Sequence, residues 1–474
     1  MIAVVFPQNT GAMTVTRLPL FALCLGYFLV ILDVTVVTVA APAIGADLRA
    51  PVTGLQWVFD GYTLTFAALL LFCGGLNDRL GGKVVFLAGL AVFTLASAGC
   101  GLAPSTGMLI GARLVQGIGA AAMVPSSLAL LRHAYSDQTA RARAFGVWGM
   151  IAGIAAGAGP VLGGVLVSTL GWRSVFVVNL PVGLLGLLLT ARFVPAPPPA
   201  GRSRRLDVPA QLTGALCLTG LTWALIEAGA RGWTSPVVLA GFGLFLLALA
   251  GFLFLEATGP EPMLPLDLFA VSSFRASAAV GLLLNLGFYG LLFVLPLYLQ
   301  QIRQFTAMMT GLAMLPMALM PMISSPLGGR LAARTGPRLP MAIGLLLGGI
   351  GLLAWLPTGP GSSYWALIAP MMLTGFGIGF TMPAATSAIL EAVPAARAGI
   401  ASAVFILARQ TGSAVGVAVV GTAVTGGVLT GLRTGALLGG LGFLTAMVIT
   451  LTALRPGTRV SGAPVQGPVG AEQQ

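Results

Sequence analysis

Long apolar runs, separated by short polar stretches, follow one another along almost the whole chain. Fourteen of these runs approach the roughly 20 residues that an α-helix needs to cross a bilayer. They predict an all-α, polytopic membrane protein with fourteen transmembrane helices. The predicted spans lie at about 18–40, 58–76, 84–103, 107–131, 144–168, 175–193, 208–228, 236–256, 276–299, 308–328, 339–357, 363–389, 402–426 and 434–454.

The composition agrees with this interpretation and excludes a soluble protein. Hydrophobic residues make up 57% of the 474 residues and charged residues only 8%, against about 25% charged residues in an ordinary soluble domain. Many of the 66 glycines lie within apolar runs, where small residues let helices approach closely. Because fourteen spans use about 280 residues, no room remains for a sizeable soluble domain.

The basic residues are distributed unevenly among the predicted loops. If the N-terminus lies inside the cell, 17 of the 24 lysines and arginines fall in inside segments, five in outside loops and two within spans. Cytoplasmic loops carry such an excess, so we expect a protein of the inner (plasma) membrane with both termini in the cytoplasm. The net charge of +12 then reflects membrane topology, and we expect no nucleic-acid partner.

Polar stretches divide the spans into groups. A segment rich in proline and arginine follows the sixth span and is typical of an extended linker between halves. The expected organisation is a cytoplasmic N-terminal tail at 1–17, a six-helix bundle at 18–193, a cytoplasmic linker at 194–207, two inserted helices at 208–256, a second cytoplasmic linker at 257–275, a six-helix bundle at 276–454 and a disordered tail at 455–474.

A short basic segment occurs twice, once in each predicted bundle. Gly75, Asp78, Arg79, Gly81 and Lys83 follow the second span, and Gly329, Arg330, Arg334, Gly336 and Arg338 follow the tenth. This repetition predicts two parallel six-helix halves with two helices inserted between them. Parallel halves with a ligand site between them are typical of secondary transporters.

Two charged residues lie where a bilayer makes charge unfavourable. Asp33 falls near the middle of the first span, and Arg113 falls in the fourth span with Gln116 close by. A charge at such a depth must pair or contact water, so we expect Asp33 to be the partner of Arg113. The pair is a candidate for proton coupling or substrate binding, and a purely structural pair is the alternative.

Other polar residues within the spans are secondary candidates for the site. Each could instead lie at the membrane interface or serve helix packing. For the two acids, which lie near span ends, exposure to water is an alternative of equal weight. These residues are Asp60, Tyr62, Glu227, Asn285, Tyr289, Arg409 and Gln410.

The sequence contains none of the patterns expected for ATP hydrolysis, a metal site or a nucleophile with its base. A Walker loop is absent, and the four cysteines lie within apolar segments without paired spacing, which is typical of buried structural residues. We therefore expect no enzyme activity, no cofactor and no metal.

Three segments resemble motifs of the major facilitator superfamily. The segment from Gly75 to Lys83 resembles its loop motif, although Asn77 replaces a small residue and Gly82 a basic one. In that family this loop, through its aspartate, holds one access state closed, which implies a gating role for Gly75, Asp78, Arg79, Gly81 and Lys83. The segment 109–119 resembles the fourth-helix motif, which supplies a buried arginine and glutamine. The segment 31–42 resembles the first-helix motif of the fourteen-helix drug:proton antiporters, although Thr38 replaces the usual asparagine.

Glycines of the fifth span form a further motif. Gly149, Gly153 and Gly157 recur every fourth residue and share one helix face, which favours close helix packing, and Pro160 favours a bend. Together with Gly159, Gly163 and Gly164 they resemble the antiporter motif found in exporters of the superfamily. Generic helix packing without meaning for the direction of transport is the alternative.

The resemblance implies a secondary active exporter of lipophilic drugs or antibiotics, coupled to proton influx by alternating access, with Asp33 as the protonated group. The implied partners are a small-molecule drug or antibiotic, protons and the lipid bilayer, and we expect a monomer. Segments 57–64 and 125–128 resemble antibiotic self-resistance exporters, including the methylenomycin-resistance type. A narrow exporter of one antibiotic or metabolite and a proton-coupled uptake symporter therefore remain as alternatives, and a channel or receptor of the same fold is less favoured.

Overall fold

The computed structural model describes residues 13–135, 137–196, 207–259, 264–394 and 397–454. These residues form a helical bundle without strands. Most of the linker expected at 194–207 and all of the tail expected at 455–474 lie outside them. The α-helices are α1 (Met13–Asp47), α2 (Val52–Leu80), α3 (Gly82–Gly101), α4 (Thr106–Ala134), α5 (Gln138–Leu170), α6 (Ser174–Val177), α7 (Asn179–Phe193), α8 (Val208–Arg231), α9 (Pro236–Thr258), α10 (Ser272–Leu297), α11 (Ala307–Ala313), α12 (Leu315–Thr335), α13 (Arg338–Leu353), α14 (Tyr364–Glu391), α15 (Ala398–Val424) and α16 (Val428–Ala453).

The prediction of fourteen membrane spans is confirmed. Among the described residues, 13 helical segments are long and apolar enough to cross a bilayer, and α13 is a shorter apolar helix. The pairs α6–α7 and α11–α12 each form one interrupted span. Several helices extend beyond their apolar runs, as where α1 continues to Asp47, because a helix can remain intact in the polar interface that the apolar pattern does not record.

The two groups of six spans pack in the same way. In the first group α1 packs against α5 and α7, and α4 packs against α2 and α3. In the second group α10 packs against α15 and α16, and α14 packs against α12 and α13. The internal repeat inferred from the sequence is therefore also a repeat of helix packing.

The repeated basic segment makes equivalent contacts in both groups. At the start of α3, Lys83 donates through Nζ to the carbonyl oxygen of Ala191 at 2.9 Å. At the start of α13, Arg338 donates through Nη2 to the carbonyl oxygen of Leu451 at 2.7 Å. Each contact joins the third span of its group to the sixth. We call this side of the bundle, where α2 ends and α3 begins, the loop side.

The inserted helices lie against a boundary between the two groups. Helix α8 packs against α2 of the first group and α15 of the second, and α9 packs against α8. The Gln211 amide of α8 donates to the Ala68 carbonyl oxygen of α2. The Thr422 hydroxyl of α15 donates to the Leu225 carbonyl oxygen of α8 at 2.7 Å. Helix α8 therefore bridges both groups.

The second boundary between the groups, formed by α5 with α11 and α12, is closed at only one end. A Cβ atom at Gly164 would lie 2.7 Å from the Ala307 carbonyl oxygen, so the backbones are in close contact there. A Cβ atom at Gly153 or Gly149 would have no described neighbour within 4 Å. Because α5 runs from the loop side to the opposite side, this boundary is sealed opposite the loop side and widens toward it.

Candidate functional site

A buried ion pair joins the first and fourth spans. Arg113 of α4 donates through Nη1 to the Oδ2 atom of Asp33 of α1. Arg113 is 1% exposed and Asp33 is 0% exposed. Arg113 also donates through Nε to the Val58 carbonyl oxygen of α2 at 2.9 Å. The structure thus places the two charges that the sequence singled out in direct contact.

Amide and hydroxyl groups complete the surroundings of this pair. Gln116 donates through Nε2 to the Oδ1 atom of Asp33 and to the Ser97 hydroxyl oxygen, both at 2.8 Å, and its Oε1 accepts from Arg113 at 2.7 Å. Asn179 donates through Nδ2 to the same Oδ1 atom at 3.0 Å and to the Ser97 oxygen at 3.3 Å. The charge network formed by Asp33, Ser97, Arg113, Gln116 and Asn179 therefore spans α1, α3, α4 and α7.

Sequence reasoning missed Ser97 and Asn179. Both are 0% exposed and lie inside the apolar runs predicted at 84–103 and 175–193. The signal was present for Asn179, because an amide within a membrane span is costly unless it is hydrogen-bonded. Serine gives a weaker signal, since its hydroxyl often bonds to its own helix.

Tyr62, one of the secondary candidates, lies beside the charge network. The guanidinium carbon of Arg113 is 4.4 Å from the centre of the Tyr62 ring, which allows a cation–π interaction. The Tyr62 hydroxyl donates to the Val30 carbonyl oxygen of α1 at 3.2 Å. The aromatic ring therefore covers the charged group while its polar end is satisfied by backbone.

A small cavity connects the charge network to the second group of spans. The volume that the centre of a water molecule can occupy in it is about 20 Å³. This is room for about one water. Hydroxyl groups from both groups of spans border it. Its lining comprises Val34, Thr38, Phe59, Tyr62, Thr63, Arg113, Tyr289, Leu292, Phe293, Ser413 and Val417.

Four candidate residues lie in the second group of spans, close to this cavity but outside the charge network. They are Asn285, Tyr289, Arg409 and Gln410. Tyr289 borders the cavity, and the Asn285 amide of α10 donates to the Arg409 carbonyl oxygen of α15 at 3.0 Å. The guanidinium carbon of Arg409 lies 5.9 Å from the Phe405 ring centre, and Gln410 is half-buried beside it. The backbone of Arg409, rather than its charge, therefore holds the two helices together here.

The two acids near span ends have different environments. Glu227 forms an ion pair with Arg231 at 2.6 Å, one helical turn away, which places it outside the charge network. Asp60 is 0% exposed, and neither carboxylate oxygen has a hydrogen-bond partner among the described residues. The water-exposed interpretation of Asp60 is therefore wrong. Its position in the sequence did not reveal that α8 and α15 cover α2.

The loop motif forms a tight turn between α2 and α3. Gly81 has φ 86°, a left-handed conformation that favours glycine, and its N–H donates to the Asn77 carbonyl oxygen at 3.0 Å. A Cβ atom at Gly82 would lie 2.9 Å from the Oδ1 atom of Asn77. Asp78 and Arg79 are exposed on the loop side, where a change of conformation can alter their contacts.

The glycine motif of α5 makes close contact over half of its length. Gly159 lies directly against Thr35 of α1, and a Cβ atom at Gly163 would lie 2.8 Å from the Val36 carbonyl oxygen. The expectation of close packing is wrong for Gly149 and Gly153 in this conformation. The physical reason is that α5 and α12 diverge toward the loop side.

Two repeated groups of six spans, with a buried charge network next to the boundary between them, define a secondary transporter. The chain belongs to the Major Facilitator Superfamily, whose family model matches residues 23–417. It is a multi-pass membrane protein, and its family is one of transporters.

Several of its relatives are resistance or efflux proteins of bacteria. The chain is 40% identical to the Methylenomycin A resistance protein of Bacillus subtilis (strain 168) over 85% of this chain and 86% of that protein. It is 38% identical to the Multidrug resistance protein Stp of Mycobacterium tuberculosis (strain ATCC 25618 / H37Rv), over 85% and 75% of the two chains. It is 32% identical to the Multidrug efflux pump LfrA of Mycolicibacterium smegmatis (strain ATCC 700084 / mc(2)155), over 88% and 83%.

Proposed function

We propose that this protein exports lipophilic drugs or antibiotics in exchange for protons, by alternating access between the bundles 18–193 and 276–454. The observation that carries the proposal is the buried Asp33–Arg113 pair, which lies within one bundle yet borders the cavity shared with the other. The resistance and efflux relatives support the direction of transport and the class of substrate.

Asp33 is the proposed proton-binding group. Its ionised carboxylate is held by donors from Arg113, Gln116 and Asn179, which offset the cost of burying a charge. Protonation removes the negative charge and weakens the contact with Arg113. Because the Arg113 side chain borders the cavity between the bundles, a proton at Asp33 changes the electrostatics of the boundary that must move.

The conformation described here is the one that accepts substrate. The excess of basic residues supports a cytoplasmic position for the loop side, and the boundary between α5 and α12 widens toward that side. Substrate then arrives from the cytosol or the inner leaflet, and Gly149 and Gly153 form the surface onto which α12 closes in the outward-facing state. Asp78 and its loop stabilise one of the two states.

A narrow exporter of one antibiotic is the second candidate. The observation that favours it is that relatives such as the Methylenomycin A resistance protein and the Puromycin resistance protein pur8 of Streptomyces alboniger, to which the chain is 39% identical, are each named for resistance to one antibiotic. Both candidates share the fold, the proton site and the direction of transport. A monomer suffices for either, since the charge network and cavity form within one chain.

Proton movement in inside-out vesicles tests this function. Vesicles with an acidic lumen are challenged with a panel of lipophilic cations and neutral antibiotics, and a pH-sensitive dye reports the lumen. We expect substrate to release protons from the lumen, and Asp33→Asn to abolish the release. Asp47→Asn is the matched control, because Asp47 lies on the same helix but its side chain is 48% exposed.

The outcomes separate the candidates. A response to many compounds supports a multidrug exporter, and a response to a single compound supports the narrow exporter. Proton movement in the opposite sense would identify a symporter and overturn the proposal. Full proton release by Asp33→Asn would remove Asp33 from the mechanism.

The proposed orientation has its own test. Leu80 is 53% exposed on the loop side, and Ala46 is exposed at the opposite end of α1. In whole cells, a membrane-impermeant maleimide should label Ala46→Cys and spare Leu80→Cys. The native cysteines of the described residues are all buried, so the unsubstituted chain gives the background. Labelling of Leu80→Cys from outside would reverse the topology.

A further inference from the structure

Asp60 is a buried acid that the proposed proton cycle does not use. It lies on α2, is 0% exposed, and has no hydrogen-bond partner for either carboxylate oxygen among the described residues. Asp33, by contrast, receives hydrogen bonds from three side chains. A buried carboxylate without donors or a counter-charge is strongly disfavoured in its ionised form.

The position of Asp60 on α2 places it at a boundary between the bundles. Gln56, one turn earlier, donates through Nε2 to the Ala418 carbonyl oxygen of α15 at 2.8 Å. Leu64, one turn later, borders a small void together with residues of α8 and α15. Residues four apart share one helix face, so Asp60 faces the region where these three helices meet. We call this region the α2–α8–α15 junction.

No described side chain at the junction supplies a compensating charge. Arg113 is engaged by Asp33, Glu227 pairs with Arg231, and Arg409 lies more than two turns along α15 from Ala418. The void beside Leu64 is bordered by uncharged residues, namely Ala67, Leu218, Leu221, Thr222, Thr411, Ala414 and Val415. The titratable side chains in the apolar parts of the surrounding helices carry no charge near neutral pH, and they are Tyr62, Cys73, Cys100, Cys217 and Tyr289. The charged or basic residues of these helices that remain, Asp78, Arg79, Lys83, Arg132, His133 and Arg275, lie at the loop-side ends, away from Asp60.

We propose that Asp60 is a second proton-binding site, and that its protonation permits the α2–α8–α15 junction to close on the side opposite the loop side. This proposal rests on the alternating access proposed above. In the outward-facing state α2 and α15 separate near Gln56, water reaches Asp60, and the ionised carboxylate is solvated. Closing the junction returns Asp60 to an apolar surrounding, so a proton must pass from water to the carboxylate as the helices meet.

This site differs from Asp33 in what its proton does. At Asp33 the ionised form is stabilised within one bundle, so the proton can leave while the bundle stays folded. At Asp60 the ionised form has no such stabilisation when the junction is closed. Low external pH should therefore favour the closed junction, and high external pH should favour its opening.

A cysteine reporter measures the opening directly. Val417 of α15 is 6% exposed and borders the cavity between the bundles, so Val417→Cys is protected while the junction is closed. In right-side-out vesicles, the rate of labelling by an impermeant maleimide is measured at external pH 6 to 8.5. Each rate is divided by that of Ala46→Cys at the same pH, because the thiolate fraction also rises with pH.

We expect the normalised rate to rise with pH, by up to about tenfold per pH unit for a single linked proton. Asp60→Asn mimics the protonated acid and should give a low rate that does not depend on pH. Asp60→Glu, which keeps the carboxyl group and guards against misfolding of the asparagine variant, should restore the slope.

Either of two results would overturn the proposal. One is a labelling rate that does not change with pH when Asp60 is present, and the other is an unchanged dependence of the rate on pH in Asp60→Asn. A slope lost only in Asp33→Asn would assign the effect to the charge network instead. The labelling needs neither substrate nor net proton transport. A chain that failed the efflux assay could therefore still confirm or refute this role of Asp60.

Discussion

Arg113 and Asp33 form a fully buried ion pair, yet the guanidinium end of the pair borders a cavity shared by both bundles. A buried ion pair is weak evidence for stability, because desolvation offsets most of the attraction. The same pair is well suited to coupling, since adding one proton leaves the arginine without its counter-charge beside the moving boundary. Stability and coupling should therefore respond differently to substitutions at this pair.

Neutralising one member of the pair should affect both properties. Asp33→Asn leaves Arg113 buried without its counter-charge, so the free energy of unfolding should fall by about 3–5 kcal/mol. Substrate-driven proton release should also disappear. Thermal unfolding in detergent and the vesicle assay measure these two effects separately.

A double variant serves as the control. Asp33→Asn combined with Arg113→Gln removes both charges, so much of the lost stability should return. Proton release should stay absent, because the protonated group is still missing. A double variant that released protons normally would show that the coupling group lies elsewhere.

Asn179 should act as a positioning residue for the carboxylate. Asn179→Leu preserves the approximate size of the side chain but removes the donors to Asp33 and Ser97. We expect a loss of about 1–3 kcal/mol in unfolding free energy and reduced, rather than abolished, proton release, since Arg113 and Gln116 still hold Asp33.

Thr190 offers a matched control on the same helix. It is equally buried, and its hydroxyl oxygen has no hydrogen-bond partner among the described residues. Thr190→Val should therefore leave both stability and proton release nearly unchanged. Equal losses in Asn179→Leu and Thr190→Val would mean that α7 tolerates no change at all, and would refute a specific role for Asn179.

The apolar runs were sufficient to predict the fourteen spans, because only a long apolar helix satisfies its backbone within a bilayer. The Asp33–Arg113 contact was also predictable, since two charges within spans must find partners. Asn179 gave a signal as an amide within a span, but its contact with Asp33, like that of Ser97 with Gln116, was not predictable, because pairing four helices requires knowing how each is rotated. The pattern of one chain contains no such information.

Two further features depend on tertiary structure or on conformation. Asp60 lies near a span end in the sequence, and only the packing of α8 and α15 against α2 shows that it is buried. Gly153 has the spacing of a packing glycine but faces open space, since the boundary that it would seal is open here. A sequence motif that serves two states cannot show which contacts exist in one of them.

Asp78 should matter for turnover more than for folding. It is exposed on the loop side, and exposed substitutions usually change the unfolding free energy by no more than about 0.5 kcal/mol. Asp78→Asn should therefore insert and melt normally while transporting severalfold more slowly. Asp267, whose side chain is 62% exposed on the same side, is the control, and Asp267→Asn should transport at the normal rate. Unchanged turnover in Asp78→Asn would remove the loop from the mechanism.

Two glycines of α5 should respond in opposite ways to one added methyl group. At Gly159 the new Cβ atom would overlap Thr35 of α1, and such overpacking typically costs about 1–3 kcal/mol. At Gly153 the Cβ atom meets no described neighbour within 4 Å, and alanine favours a helix over glycine by up to about 1 kcal/mol. Gly159→Ala should therefore lower the melting temperature, whereas Gly153→Ala should maintain or raise it.

Because Gly153 must approach α12 when the loop side closes, Gly153→Leu should melt normally yet transport poorly. Normal transport by Gly153→Leu would show that this face of α5 stays open throughout the cycle.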